Sequence, residues 1–417
     1  MSDTQAMFPA LREVPLEAIE RELDNMWREH NASVARGTSQ AYSRNSVLTL
    51  VAFTQGPRHA RQVLEAIHSL TVQHPSRAII ISADPADRGS GMRAHIGTYV
   101  APDSSSYGED LVVEAQTEAV RHLPGVVLPL IVSGLPSFLW WLGEPPWGSE
   151  LLEALVDGCD RFIVDTSEMS HVARSVSALE DLTRRKKTRC AVGDISWAAQ
   201  APWRDIVAQF FDPPEAQPYL EGIERVVIEY AAGDEDAATN SSQASLFAGW
   251  LASRLGWRID PAQKSGLDSS RQYTLRSAAD SVIVLEIIAR FNVAQRSWWE
   301  DPMSFGADAA LLSPDGHRQD DVAWVRHGAL MSVHLASRLG GPRATFAVAR
   351  ERDLMHATTL AQLPEGHVPS KTVHLQSVGE QAPLTDQLQE LGHDVVYEDA
   401  LTASALLLRS SARRGPA

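Results

Sequence analysis

Cysteine is nearly absent: Cys159 and Cys190 are the two in 417 residues. Two thiols cannot form a disulfide framework, so the expected compartment is a reducing cytoplasm. Long apolar runs are missing too. No stretch approaches the ~20 residues of a membrane span. The opening MSDTQAMFPALREVPLEAIERELD has no basic segment leading into an apolar one, so no secretory signal is expected. Basic charge is in deficit, with 37 Lys and Arg against 53 Asp and Glu and a net charge of −16. Phosphate contacts need a basic surface, which argues against nucleic-acid and anionic-membrane binding. Catalytic signatures are also lacking. There is no G-x-G-x-x-G after a strand, no P-loop, no H-E-x-x-H, no G-x-S-x-G and no paired C-x-x-C. The 14 histidines show no metal-ligand spacing. No metal and no cofactor are expected.

What is present reads as globular protein: 44% hydrophobic and 22% charged residues. The chain is long for one core, so two or three domains are expected. The most informative stretch is Leu135-Pro136-Ser137-Phe138-Leu139-Trp140-Trp141-Leu142-Gly143, followed by Glu144-Pro145-Pro146-Trp147. Alternate side chains of a strand face opposite ways. Two adjacent tryptophans therefore mean one of two things. Both faces are buried, as in a parallel sheet, or one indole is presented to a partner or ligand.

Along the chain, hydrophobic spacing predicts a helix over residues 16–36, a strand over 46–54, a helix over 58–72 and a strand over 77–82. Two more strands follow at 93–100 and 111–117, then a helix at 119–132 weakened by Pro124 and Pro129. Strand and helix then alternate: 137–141, 150–156, 162–165, 171–187, 190–195 and 202–211. This alternation is the pattern of an α/β fold with a mainly parallel or mixed sheet. The proline-rich Asp212-Pro213-Pro214-Glu215-Ala216-Gln217-Pro218 reads as a linker. The pattern restarts beyond it: strand 226–230, helix 245–255, strands 273–275 and 282–288, strand 309–312, helix 321–337 and strand 343–348. Residues 410–417 read as a disordered tail. The expected organisation is a helical segment over 1–40 and two α/β domains over 41–212 and 213–417. A duplicated architecture is one expectation, tested by whether the two strand orders agree.

Ligands of open α/β sheets bind outside the carboxyl ends of the strands. The predicted ends carry Trp141 and Gly143, then Asp165, Thr166 and Ser167, then Asp194, Ser196 and Trp197. Thr166 or Ser167 could hold a phosphate at a helix start, or Asp165, Thr166 and Ser167 could simply cap the following helix. Arg44 and Arg77, each before a strand, could complete an anion site; alternatively His74-Pro75 only shapes a turn. Trp203 and Arg204 share the first turn of a helix, where an indole and a guanidinium can stack or Trp203 can pack conventionally. The run Arg184-Arg185-Lys186-Lys187-Thr188-Arg189 could dock an acidic surface, or be a solvated helix end favoured by the dipole. Its cations would depress the thiol pKa of Cys190, and Cys159 lies near the same end of the sheet. The ordinary role for both cysteines is that of small buried core residues.

Several of these segments resemble, in order, the motifs of the OpcA family, the glucose-6-phosphate dehydrogenase assembly proteins of photosynthetic bacteria and actinobacteria. The L-P-x-x-L-W-W run from Leu135 to Trp141 carries the resemblance. So do His74 to Ala78, Arg161 to Ser167, Asp194 to Trp197 leading into Pro202-Trp203-Arg204, and the closing LGHDVVYEDALTASALL. The resemblance covers most of the chain and implies a non-catalytic role: binding glucose-6-phosphate dehydrogenase and promoting its active oligomer in the oxidative pentose phosphate pathway. It transfers no catalytic residue. In some members this role is tied to redox control, for which this chain offers only Cys159 and Cys190. The resemblance makes Trp140, Trp141, Trp147, Trp197, Trp203 and Arg204 candidate partner anchors, since Trp and Arg dominate interface hot spots. On it, Trp141→Ala or Trp203→Ala is expected to weaken partner binding. The second reading is a sugar-phosphate-binding α/β enzyme or metabolite sensor, with Arg44, Arg77, Asp165 and Ser167 lining the site.

Overall fold

The structure is a computed structural model and describes residues 11–37, 46–70, 74–84, 89–100, 107–186, 189–233, 239–259, 270–293, 295–296, 324–364, 366–375 and 383–412. Eight strands build the first sheet: β1 (Arg12–Val14), β2 (Leu48–Thr54), β3 (Ser76–Asp84), β4 (Met92–Val100), β5 (Tyr107–Gln116), β6 (Ser137–Trp141), β7 (Arg161–Val164) and β8 (Ala191–Asp194). Their order is β1-β4-β5-β3-β2-β6-β7-β8. From β5 to β8 the neighbours are parallel, and β4 and β1 add an antiparallel edge. Every residue of β2, β6 and β7 is buried. That is why these strands read as continuous apolar runs: helices cover both faces of a parallel sheet. Trp140 and Trp141 divide between the two faces. Trp140 joins the cluster of Leu50, Ile80 and Phe138. Trp141 joins that of Val51, Ile79 and Leu139 and stacks on Phe53 at 3.9 Å between ring centroids.

The helices of this half are α1 (Ile19–Ala35), α2 (Pro57–Leu70), α3 (Glu150–Asp157) and α4 (Val172–Lys186); α5 (Ala201–Gln209) follows and packs into the second core. Ser149 caps α3, its hydroxyl accepting from the Leu152 amide at 3.2 Å. The helix expected over 119–132 is instead three short turns, Val120–His122, Leu123–Val127 and Leu128–Leu130. Pro124 and Pro129 each begin a new turn, where a missing N–H costs nothing.

The second sheet holds β9 (Ile223–Ala231), β10 (Arg258–Ile259), β11 (Ser270–Arg276) and β12 (Val282–Arg290). After the small β13 (Gln295–Arg296) and β14 (Val325–Arg326) pair come β15 (Leu330–Arg338), β16 (Arg343–Arg350), β17 (His356–Leu363) and β18 (Gly366–His374). Its order is β10-β11-β12-β9-β15-β16-β17-β18. β9 and β12 are parallel, and the other pairs of this sheet are antiparallel. Both halves are therefore mixed α/β structures, but the differing strand orders show that they are not copies. The helix expected over 321–337 is overturned. Leu330–Arg338 is a strand with buried and open positions in near alternation, a period of two rather than 3.6. The strand expected at 309–312 lies outside the described residues. The tail expected from residue 410 is helical through Ala412.

α6 (Ser242–Arg254) lies between the two sheets and is buried on almost every side. Leu246 packs into the first core and Phe247 into the second, as a helix without a polar stripe must. The last helices, α7 (Pro383–Gln389) and α8 (Val395–Ala412), return to the first half. Leu384 and Leu388 pack with Phe138 and Ile195, while Tyr397, Leu401 and Leu408 join the Trp141 cluster. Among the described residues no helix is long and apolar enough to cross a membrane.

Candidate functional site

The sheet order reverses direction between β2 and β6, so a ligand crevice would open where these strands end. The turn after β2 is Thr54-Gln55-Gly56-Pro57. Gly56 supplies a positive φ of 82°, and Pro57 opens α2 without an N–H to offer an anion. The turn holds a single glycine rather than the glycine-rich loop of a dinucleotide site.

The ends of β7 and β8 carry Asp165 and Asp194, each capping a turn that starts at once. Asp165 Oδ1 accepts from the Ser167 amide at 2.9 Å and from its hydroxyl at 2.5 Å. Asp194 accepts from the Thr166 amide at 3.1 Å, the Thr166 hydroxyl at 2.7 Å and the Ser196 amide at 2.9 Å. The Tyr397 hydroxyl approaches Asp194 at 3.5 Å, and Arg326 Nη1 lies 3.8 Å from Asp165. Burial, and then the nearby Asp165 charge, push Asp194 up to about 7. Burial and the two aspartates around it raise Tyr397 well above the usual tyrosine range. Asn240, just ahead of α6, donates to the Thr166, Ser167 and Met169 carbonyls at 2.8–3.0 Å. The network ties both halves together at this end of the sheet.

The anion site expected from Arg77, Asp165, Thr166 and Ser167 is not assembled. Thr166 and Ser167 are buried, and their donors are spent on two carboxylates that would repel an anion. Arg77 starts β3, at the opposite end of the parallel strands. There it donates to Glu109 at 2.7 Å, to Glu20 of α1 at 2.6 Å and to the Leu130 carbonyl at 3.0 Å. Glu109 also accepts from Trp27 of α1 at 3.0 Å, so Arg77 fastens the N-terminal helix. Arg44 lies outside the described residues. Among the described residues no three His, Cys, Asp or Glu side chains group so as to hold a metal ion.

The tryptophan set is corrected in the same way. Trp140, Trp141, Trp197 and Trp203 are 0–3% exposed; their surface is spent on the cores and cannot meet a partner. The guanidinium of Arg204 does lie over an indole, but over Trp197, 3.6 Å from the ring centroid. It also donates to the Trp197 carbonyl at 2.8 Å. Burial lowers its pKa to about 10.

Trp147 is the exception, half-buried at the rim of an open cleft of about 510 Å³. Glu144, Pro145, Pro146, His171 and Arg174 line it as well. The indole N–H of Trp147 is shielded from water and has no hydrogen-bond partner among the described residues. Burial pushes the Glu144 carboxyl up, but hydrogen bonds from Ser175, His171 and Ser170 outweigh it and leave the group below the usual carboxylate range. Glu144, His171 and Arg174 were not singled out from the sequence. Glu144 follows the double tryptophan by three residues; the other two, at the start of α4, reach the cleft only through the crossover.

Cys159 and Cys190 are free and buried. Burial pushes both thiols up to about 12, so the expected activation by neighbouring cations is overturned. Arg184 pairs with Asp181, and Arg185 with Glu153 at 3.0 Å.

Comparison with known proteins places this architecture. Two family descriptions match, both for a "Glucose-6-phosphate dehydrogenase subunit": its N-terminal domain over residues 67–184 and its C-terminal domain over residues 190–401. The chain belongs to the OpcA glucose-6-phosphate dehydrogenase assembly family. Relatives provisionally named OxPP cycle protein OpcA are 28% identical. The Nostoc punctiforme protein matches over 204 residues, 48% of this chain and 42% of the relative. The Synechococcus elongatus protein matches over 225 residues, 52% of this chain and 48% of the relative. The chain thus matches under half the length of these relatives. Among solved structures, a levoglucosan dehydrogenase complex with NADH and L-sorbose aligns at 11% identity and a TM-score of 0.44, covering 88% of this chain and 97% of that one. A 3-ketoreductase from Actinomadura kijaniata aligns at 10% identity and 0.44, covering 86% and 95%. Likeness at that level assigns neither cofactor nor reaction.

Proposed function

We propose that this protein is a non-catalytic assembly factor that binds glucose-6-phosphate dehydrogenase and promotes its active oligomer in the oxidative pentose phosphate pathway, in the cytoplasm. The observation that carries this reading is the pair of family matches over residues 67–184 and 190–401. The geometry supports it from a second side. The ends of β7 and β8, two of the places where an α/β enzyme could hold a ligand, are closed by Asp165, Asp194 and Tyr397. Activation by such a factor is a coupling free energy: it must bind one state of the enzyme better than another. A preference of ~1–3 kcal/mol shifts substrate affinity or assembly by roughly 5–150-fold. Trp147 is the anchor, half-buried at the rim of the cleft beside Glu144 and Arg174. The two halves, 41–212 and 213–417, act as one rigid platform because α7 and α8 return to the first core.

The test measures activity of the same organism's glucose-6-phosphate dehydrogenase with and without this protein, alongside size exclusion with light scattering. A co-eluting complex with lower KM or higher kcat is expected. Well-folded components that neither associate nor change kinetics would reject the reading.

A further inference from the structure

The second sheet has one buried face and one open face. Buried positions such as Val226, Ile228, Leu285 and Phe346 face α5 and α6 in the second core. The alternate positions face outward, and no described helix packs on them. The register lays Glu286, Val227, His334, Ala347 and Leu360 in one row across β12, β9, β15, β16 and β17. Leu360 and Val282 on this side are 48% and 50% exposed. Around His334 and the charged pairs of the middle, Val227, Ala336, Thr345 and Ala347 on this side are small or β-branched, which lets a second layer approach towards the ~10 Å of packed sheets. The charges present are mutually neutralised: Arg225 donates to Glu286 at 2.9 Å and Arg290 to Glu229 at 2.5 Å. A neutral face on a chain of net charge −16 is where two copies meet with least repulsion.

We infer that this open face is a self-association surface on which a second copy of this chain packs, sheet on sheet. A two-fold axis in the interface, crossing β9 at Val227, superposes each β9 on its reversed mate. Arg225 of one copy then lies over Glu229 of the other and Val227 over Val227, as an isologous contact requires. Glu286 meets its own copy beside the two Arg225 side chains. Six strands of 7–9 residues contribute. At ~4.8 Å between strands and ~3.3 Å per residue they present roughly 700 Å², close to the ~800 Å² per partner of a stable interface. The inference does not rest on the proposed enzyme partner.

The experiment is sedimentation velocity of the full chain over a wide concentration range, for the natural sequence, Val227→Asp and Ala347→Arg, with circular dichroism as the check on folding. Each variant puts a charge at the centre of the contact and at a position only half-buried in the monomer. A dimer is expected whose dissociation constant rises at least roughly tenfold in either variant. If one variant unfolds, the other decides. A natural chain that is monomeric throughout overturns the inference, as does a dimer that neither variant weakens. So does a monomer whose complex with glucose-6-phosphate dehydrogenase is lost in these variants, which would assign the face to that enzyme.

Discussion

Arg161 and Gln387 lie 226 positions apart in sequence and are joined by a 2.7 Å hydrogen bond from the guanidinium to the amide oxygen. The same guanidinium donates to the Gly392 carbonyl at 2.7 Å and to Glu390 at 2.9 Å. A buried arginine on β7 thus holds the returning C-terminal segment. Arg161→Met removes every one of these bonds and leaves Gln387 buried without its donor. A loss of about 2–3 kcal/mol is expected, read as a lower urea midpoint. An unchanged midpoint would mean that the clasp adds nothing.

The second prediction concerns close approach. A Cβ on Gly249 would sit 2.2 Å from the Ala400 carbonyl and 2.3 Å from the Ser404 hydroxyl, where α6 and α8 touch. Gly249→Ala should force these helices apart and cost about 1–3 kcal/mol. Gly125, with nothing within 4 Å of its Cβ position, is the control: Gly125→Ala should be neutral or stabilising. Equal melting temperatures for both variants would refute the contact.

The third is a pH dependence. Asp194 titrates near 7 in the folded chain and near ~3.9 when unfolded. Between these values the folded state holds a proton that the unfolded state has released. The contribution is complete below ~4 and is lost as pH rises through about 7. Asp194→Asn should flatten that part of the stability profile. Parallel profiles for both proteins would remove Asp194 as the cause.

The fourth concerns the thiols. With both pushed up to about 12 and both buried, neither Cys159 nor Cys190 should react with a thiol reagent in the native protein at neutral pH. Both should react in denaturant. Rapid native labelling of either would contradict its burial.

The fifth separates core from surface among the tryptophans. Trp141→Ala and Trp203→Ala should lose about 3–5 kcal/mol of stability. Trp147→Ala, which removes a half-buried side chain, should cost less stability than either and weaken the proposed complex. A stable Trp141→Ala protein that merely fails to bind would restore the interface role first expected for that residue.

Much of this protein follows from its sequence alone. Whereas the double tryptophan left open whether one indole meets a partner, continuous apolar runs such as Leu48–Thr54 announce a buried strand, because a residue type and a period are local properties. Asp165 was legible as a cap for the same reason, while the capping role of Asp194 was not read from the sequence. Other outcomes belong to tertiary structure. Arg77 looks identical in sequence whether it awaits a phosphate or is held by Glu20 and Glu109. Trp203 reads alike as anchor or core. Leu330–Arg338 suits a helix by composition and becomes a strand because β9 and β16 flank it. The sheet order, the return of α8 to the first core and the open face around Val227 rest on contacts between residues distant in sequence, such as Thr49 with Ser137 and Val227 with His334. No local pattern encodes such contacts, since their free energy exists only once the chain has closed the loops between them.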